Sequence, residues 1–426
     1  MVRQGIERWN LWRRRTFFGW WIVSGAVGIQ ILQAGLFLQA FGVYVVAWQE
    51  EFGWSKTAIA IAFALQRAVT GLLGPLQGWL LDRYGARNVM RAGTVVFAFG
   101  FVLLSRTDTL PSFYLASGVL AVGASLGGFL SLMTTIVNWF ERKRATALAT
   151  MQLGISIGGL LIPLVAWSLA AFGWRSTSLV TSLIVLLFGL PLTQLMRSQP
   201  EDYGLLPDGH QPRKTAGTDR RVAVTDERGS FSLGQALRTR AFWLLSLGHA
   251  LAVMIVASVT VHFVVHLTEE RGYALQLASL IVALMTALLM AGQILGGLLG
   301  DRLSKRLIAS VAMLAQVGAL LALALGTTLF SVLLFALVHG LAWGVRGPLM
   351  GALRADYFGR SSFATIMGIS TTIIMLGSMS GPILVGYLAD QLGSYRTAFL
   401  LLTIVSVIGS LCFALAKRPR APRSEA

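Results

Sequence analysis

GPLQGWLLDRYGAR, residues 74–87, decides how the chain is read. A long apolar run ends in an acid and a base, Asp82 and Arg83; Arg87 follows four residues after Arg83, and a second apolar run begins just beyond it. Charges at the junction of two greasy segments mark a membrane surface if the rest of the chain is equally apolar. It is. Of 426 residues, 55% are hydrophobic and only 12% charged, against about 25% charged in soluble proteins. Mean hydropathy is +0.70. Apolar stretches of about 20 residues, each enough for a bilayer core of about 30 Å, recur along the whole length. The expected fold is an all-α integral membrane protein with twelve spans, near 17–48, 56–81, 89–105, 111–138, 144–171, 176–196, 241–267, 274–299, 306–325, 329–353, 363–389 and 395–416.

The formal charge of +17 could suggest nucleic acid, but its placement argues against that. With both termini in the cytoplasm, 28 of the 35 Lys and Arg fall on the inner side. The outer loops hold five: Lys56, Arg106, Arg175, Arg271 and Arg396. Without the central loop the bias is still 20 to 5, so the basic balance mainly sets orientation in the inner membrane. Cys412 is the only cysteine and excludes a disulfide framework. The N-terminus is basic at Arg13, Arg14 and Arg15, and the hydrophobic stretch after it is too long for a signal peptide, so the first span is expected to be retained.

The one long polar interval, 197–240, is rich in Pro, Gly and charge and reads as a flexible cytoplasmic linker between six-span halves at 1–196 and 241–426. The halves repeat each other. At an offset of about 219, Gly78-x3-Asp82-Arg83 falls on Gly297-x3-Asp301-Arg302; Trp139-Phe140-Glu141-Arg142 matches Tyr357-Phe358-Gly359-Arg360, and Pro163 matches Pro382. Parallel repeats enclosing a substrate near the midplane are a recurring transporter plan.

The quoted stretch and its second copy share a design. Glycines at the span end allow close helix approach, while Asp82, Arg83, Arg87, Asp301 and Arg302 sit where charges can reach water, a helix C-terminus or a neighbouring loop. With Glu141 and Arg142 they form a candidate cytoplasmic gate; a single such loop could equally serve topology alone. GWLLDRYGAR resembles the loop motif of the major facilitator superfamily, with a degenerate copy in GGLLGDRLSKR. Span count, central loop and duplication extend the resemblance over essentially the whole chain, and it implies two six-helix bundles that work by alternating access. FFGWWIVSGAVGI, EFGWS and NWFERKRATALATMQLGISIGG resemble the monocarboxylate-transporter and oxalate–formate-antiporter branch, with Trp139, Phe140, Arg142, Arg144, Gly154 and Gly158 matching its aromatic-Phe-x-x-Arg-Arg loop and Gly-rich fifth span. The eighth span departs from that branch, because it carries no charged residue.

Inside the spans the charge pattern is lopsided. None of the 18 acidic residues lies in a span interior, whereas two arginines do: Arg67 in FALQRAVTGLLG and Arg346 in VHGLAWGVRGPLM. A central arginine costs about 2.5–3.5 kcal/mol on insertion scales and usually faces a cavity. A guanidinium without a carboxylate at its depth suits an anion, since its planar fork matches a carboxylate in two hydrogen bonds. Neither arginine belongs to the repeat: Arg346 falls opposite Gly127 or Gly128, and Arg67 opposite Met285 or Thr286. The alternative is hydrogen bonding to backbone carbonyls or snorkelling.

Helical spacing places His339, Trp343, Arg346 and Met350 on one face of the tenth span, Gln30, Gln33, Phe37 and Tyr44 on the first, and His249 with Thr260 on the seventh. Such stripes either line a passage or make interhelical contacts worth about 0.6 kcal/mol. With no carboxylate relay, any coupling proton would ride on His249 or His339, unless transport is uniport, exchange or carried by the substrate's own proton. No nucleotide loop, metal-spaced cluster, cofactor site or catalytic constellation is visible. The expectation is a monomeric secondary or facilitative transporter of a small organic anion, a monocarboxylate, with no enzymatic activity. The competing readings are an exporter of amphipathic compounds, favoured by GSMSGPILVG in the eleventh span, and a transporter-like ligand sensor.

Overall fold

The computed structural model describes residues 17–54, 56–209 and 230–420. The basic N-terminal arginines and the middle of the central linker, 210–229, lie outside the described residues. The described residues contain helices and turns and no strand.

Hydrophobic runs bounded by Gly, Pro and hydroxyl residues become twelve long helices in two halves. In the first half, α1 starts as Gly19–Gln33 and passes through a π-helical turn, Ala34–Leu38, into Phe41–Phe52. It is followed by α2 (Lys56–Tyr84) and α3 (Ala86–Ser105). Helix α4 runs from Leu110 to Trp139. A continuous apolar stretch, Arg144–Leu195, is 52 residues long, more than one bilayer crossing needs. It divides at Gly173, whose φ of 75° ends α5 (144–172) and starts α6 (174–195). The second half holds α7 (Arg240–Glu270, ending in a π-helical turn), α8 (Leu275–Gly300), α9 (Lys305–Leu325), α10 (Leu329–Phe358), α11 (Phe363–Leu392) and α12 (Arg396–Leu415).

The chain separates into two compact units, Met1–Glu227 and Arg228–Ala426. Each packs its helices by the same scheme. In the first unit α1 lies on α5, α2 on α4, and α3 on α4 and α6; in the second α7 lies on α11, α8 on α10, and α9 on α10 and α12. Lone Cys412 is buried on α12 beside Gly248 of α7.

Three boundaries differ from the sequence reading. GWLLDRYGAR is not a loop: α2 continues through Asp82 and Arg83 to Tyr84, and α3 begins at Ala86, leaving only Gly85, with φ 76°, between the helices. Helix α10 continues past 353 to Phe358, so Arg354, counted above among the inner-loop charges, sits in its last turns and is only 1% exposed. The described ends of the linker are ordered rather than flexible. Residues 197–209 make two short 3-10 turns against the first unit, and Ser230–Leu237 folds back on the second, where the Phe231 N–H donates to the Phe358 carbonyl (2.8 Å).

Candidate functional site

The second unit holds the polar cluster of most chemical interest. Helix α10 is N-capped by Thr328 and buries one face against α9. That face carries His339 (0% exposed), Arg346 (2%) and Met350, as the spacing predicts. Helix α9 presents Met313 and Gln316, three residues apart and both fully buried. Gln316 divides its amide: its Oε1 accepts from Arg346 Nη1 (3.4 Å), and its Nε2 meets His339 Nδ1 (2.6 Å). Arg346 Nη1 also donates to the Met313 sulfur (3.0 Å). Because the Gln316 Nε2 can only donate, His339 Nδ1 accepts and the ring proton sits on Nε2. That buried N–H has no partner among the described residues. His339 stacks on Phe335 (centroids 5.0 Å) and borders Trp343 (6.2 Å).

The cluster thus holds one cation, a spare donor and neutral acceptors, with no carboxylate on Arg346 among the described residues. His339, Arg346 and Met350 are all buried, and Gln316 and Met313 reach across from α9 to His339 and Arg346. His249 on α7 lies within electrostatic reach of Arg346 and Arg354, and its Nδ1 is buried without a partner. Thr260 on the same helix is exposed and bonds only its own turn at Val256.

Arg354, which the sequence reading passed over, is satisfied by the protein. Its Nε donates to Ser370 Oγ (3.2 Å), Nη1 to the Met350 carbonyl (3.0 Å) and Nη2 to the Leu245 carbonyl (3.2 Å). It joins α10 to α7 and α11 and is structural. Its only available signal was a guanidinium one helical turn beyond Met350, and the assumed helix end hid it.

In the first unit the expected stripe on α1 divides. Tyr44 joins the apolar core with Trp48, Phe97 and Phe101, its hydroxyl towards Ser178 and Thr181 without hydrogen-bond geometry. Beside it lies a cavity of ≈ 10 Å³ bordered by Gln66 and Ser117, room for one water at most. Gln30 is 4% exposed with an unpartnered Nε2, and Gln33 rests against Gly127 and Gly128. There α4 breaks: Gly128, at φ −106° and ψ −144°, separates Leu110–Gly127 from Phe129–Trp139. Gln77 of α2, unremarked in the sequence, repairs the break. Its Nε2 donates to the Ser125 carbonyl (2.6 Å) and to Ser131 Oγ (3.2 Å), and its Oε1 accepts from Ser125 Oγ (2.9 Å). Arg67 does not share the burial of Gly71, Gly74 and Gly78; it is exposed on α2.

At the gate end, Arg87 lies in the first turn of α3, and its Nε donates to the Met196 carbonyl at the C-cap of α6 (2.6 Å). Nearby, Trp139 Nε1 donates to the Arg197 carbonyl (2.8 Å) and Asn138 Nδ2 to that of Ser198 (2.9 Å). The N–H groups of Glu141 and Arg142 both donate to Asp208 Oδ2, at 3.2 and 2.7 Å, so these two residues are tied through their backbone. Arg83 lies over Trp79 (5.6 Å). Asp82, Arg83 and Arg302 are exposed, and Asp301 caps α8. The tie in the second copy is one that sequence reasoning missed: Lys305 Nζ to Asp356 Oδ2 (2.7 Å).

The family model described as Major Facilitator Superfamily matches residues 16–345 and 245–426. The chain belongs to the major facilitator superfamily. This transporter matches "MFS transporter asaE" of Aspergillus flavus at 29% identity over 160 residues, 37% of this chain and 36% of that protein. It matches "Monocarboxylate transporter 14" of Mus musculus at 26% over 196 residues, 46% of this chain and 38% of that protein. The matches therefore span well under half the length of these curated relatives. Among solved structures, the human organic anion transporter MFSD10 superposes with a TM-score of 0.68 at 18% identity, covering 92% of this chain and 98% of that one. That likeness establishes the fold of this superfamily member: twelve membrane helices in two bundles.

Proposed function

We propose that this superfamily transporter moves a small organic anion, a monocarboxylate, across the cytoplasmic membrane by alternating access, with both termini inside, and that it acts as a monomer. One observation carries the reading: among the described residues, buried Arg346 has only an amide oxygen and a thioether as partners. A buried charge normally takes a counter-ion, and here none comes from the described residues. A substrate carboxylate arriving when α9 and α10 separate would replace two weak acceptors by a charge-assisted pair, and His339 Nε2–H could donate to a further oxygen. The monocarboxylate transporter among the relatives supports the same substrate class. Gln30, Gln33, Trp343, His249 and Arg67 are the further candidates for contact. The gate residues would hold one conformation until substrate binding releases it.

Counterflow of labelled lactate, pyruvate and acetate in proteoliposomes tests this. Arg346→Ala is expected to reduce exchange at least a hundredfold while the protein still reaches the membrane. Unchanged exchange would remove Arg346 from the site, and binding without any exchange by the unsubstituted protein would mark a sensor.

A further inference from the structure

A second titratable cluster lies at the opposite end of the second unit, the end that the Lys and Arg distribution assigns to the outside. Helix α7 closes there in a π-helical turn, His266–Glu270. The His266 side chain is 2% exposed, and its Nδ1 sits 2.8 Å from Glu270 Oε2. Glu270 is fixed in turn by Ser394 Oγ (2.6 Å) and the Tyr395 N–H (3.0 Å), at the start of α12. On the other side of the ring, Arg271 Nε donates to His266 Nε2 (3.2 Å), and Arg271 Nη2 donates to the Leu323 carbonyl of α9 (2.7 Å).

Two tautomer constraints meet here. A guanidinium has no lone pair to offer, so Nε2 must accept and the ring proton must sit on Nδ1, pointing at the carboxylate. His266 is therefore neutral in this arrangement, with both nitrogens engaged. A second proton has one place to bind, Nε2, and Arg271 occupies it. Neither group can share: an imidazolium N–H and a guanidinium N–H are both donors, and both are positive.

We propose that His266 is a proton-binding site at which a proton and the Arg271 guanidinium compete for one ring nitrogen. On protonation, an Nε2–H bond forms and the Arg271 Nε–H···Nε2 hydrogen bond breaks; no other bond changes. The His266–Glu270 contact, within the last turn of α7, becomes a full ion pair. Arg271 is driven off the ring and its tie between α7 and the end of α9 loosens. The other groups facing the ring are few. Tyr395 and Phe399 of α12 lie against it, at 5.7 and 5.0 Å between centroids. One turn earlier on α7, His262 contacts the Tyr395 hydroxyl at Nδ1 (3.4 Å) and the Pro382 carbonyl of α11 at Nε2 (2.9 Å). Glu269 and Asp390 act on Tyr395 from α7 and α11. The site is separate from Arg346, and the inference does not depend on what the protein carries.

Histidine-selective carbon and nitrogen NMR in nanodiscs tests it, with the signal of one of the five histidines assigned by its loss in His266→Gln. In the unsubstituted protein at alkaline pH, His266 is expected as the Nδ1–H tautomer, whereas free imidazole favours Nε2–H. In Arg271→Gln its titration midpoint should rise by about one pH unit, a tenfold gain in proton affinity. An Nε2–H tautomer in the unsubstituted protein, or a midpoint unmoved in Arg271→Gln, would overturn the proposal. The tautomer reading needs no variant beyond the assignment and no substrate.

Discussion

Gln316 holds a cation with one end of its amide and an imidazole with the other, and it does so from a helix whose sequence gives no hint of either partner. Periodicity along α10 was enough to place Arg346 and His339 on one face. It could not show that α9 would meet that face, because the register between two helices is set by packing, not by either sequence alone. Gln316→Glu supplies the missing carboxylate from within. It is expected to keep or raise thermal stability while cutting anion exchange at least tenfold; undiminished exchange would show that the guanidinium is not what the anion meets. At the far end of the first unit, hydrogen bonding from Arg175 holds the Glu51 carboxyl below the usual carboxylate range. Arg175 also pairs with Asp108 (2.7 Å). The sign follows: a depressed native pKa gives stability that is present above about pH 4.3, the unfolded value, and is lost as pH falls through the native one. The pair is some two-fifths exposed on each side, so its contribution is at most about 1 kcal/mol. Thermal unfolding of Glu51→Gln should accordingly show a lower melting temperature than the unsubstituted protein above about pH 4.3, and the difference should close as pH falls through the native Glu51 value.

At the scale of the helix, small residues decide which pairs can touch. Where α8 crosses α10, a Cβ at Gly344 would stand 2.2 Å from the Leu289 carbonyl, and one at Gly296 would stand 2.3 Å from that of Val345. Gly344→Ala must push two backbones apart. The expected cost is about 1–3 kcal/mol, read as a lower melting temperature in detergent, while Gly318→Ala, in a helix interior with open space around it, should not lower it. Helix existence was legible in the apolar runs because a lipid-facing backbone must satisfy itself. Helix ends were not. Arg354, Ala355 and Asp356 look like a polar loop, yet α10 runs through them because Ser370 and the Leu245 carbonyl accept from the guanidinium. In the quoted stretch, polarity suggested a loop where one glycine at positive φ is enough to turn the chain.

Across the whole molecule, the duplication seen as a constant offset reappears as the same scheme of helix pairs in both units. That much was legible because repeated packing requires repeated small residues. The functional differences were only half legible. The offset showed that Arg346 stands opposite Gly127 or Gly128, but not that α4 breaks at Gly128 and draws in Gln33 and Gln77. The repeated acid at the end of α2 and α8 gives a test at this scale. Asp82→Asn is expected to slow turnover severalfold with little change in apparent affinity, measured as separate effects on maximal rate and half-saturation; a defect confined to affinity would count against a gate. The unequal furnishing of the two units also bears on how such a chain could be rebuilt. A fusion of two first units would keep a broken helix and its glutamine repair twice over and contain no counterpart of Arg346. A fusion of two second units would carry that cation in duplicate, so under the proposed role of Arg346 such a tandem chain should hold two guests where the natural one holds one.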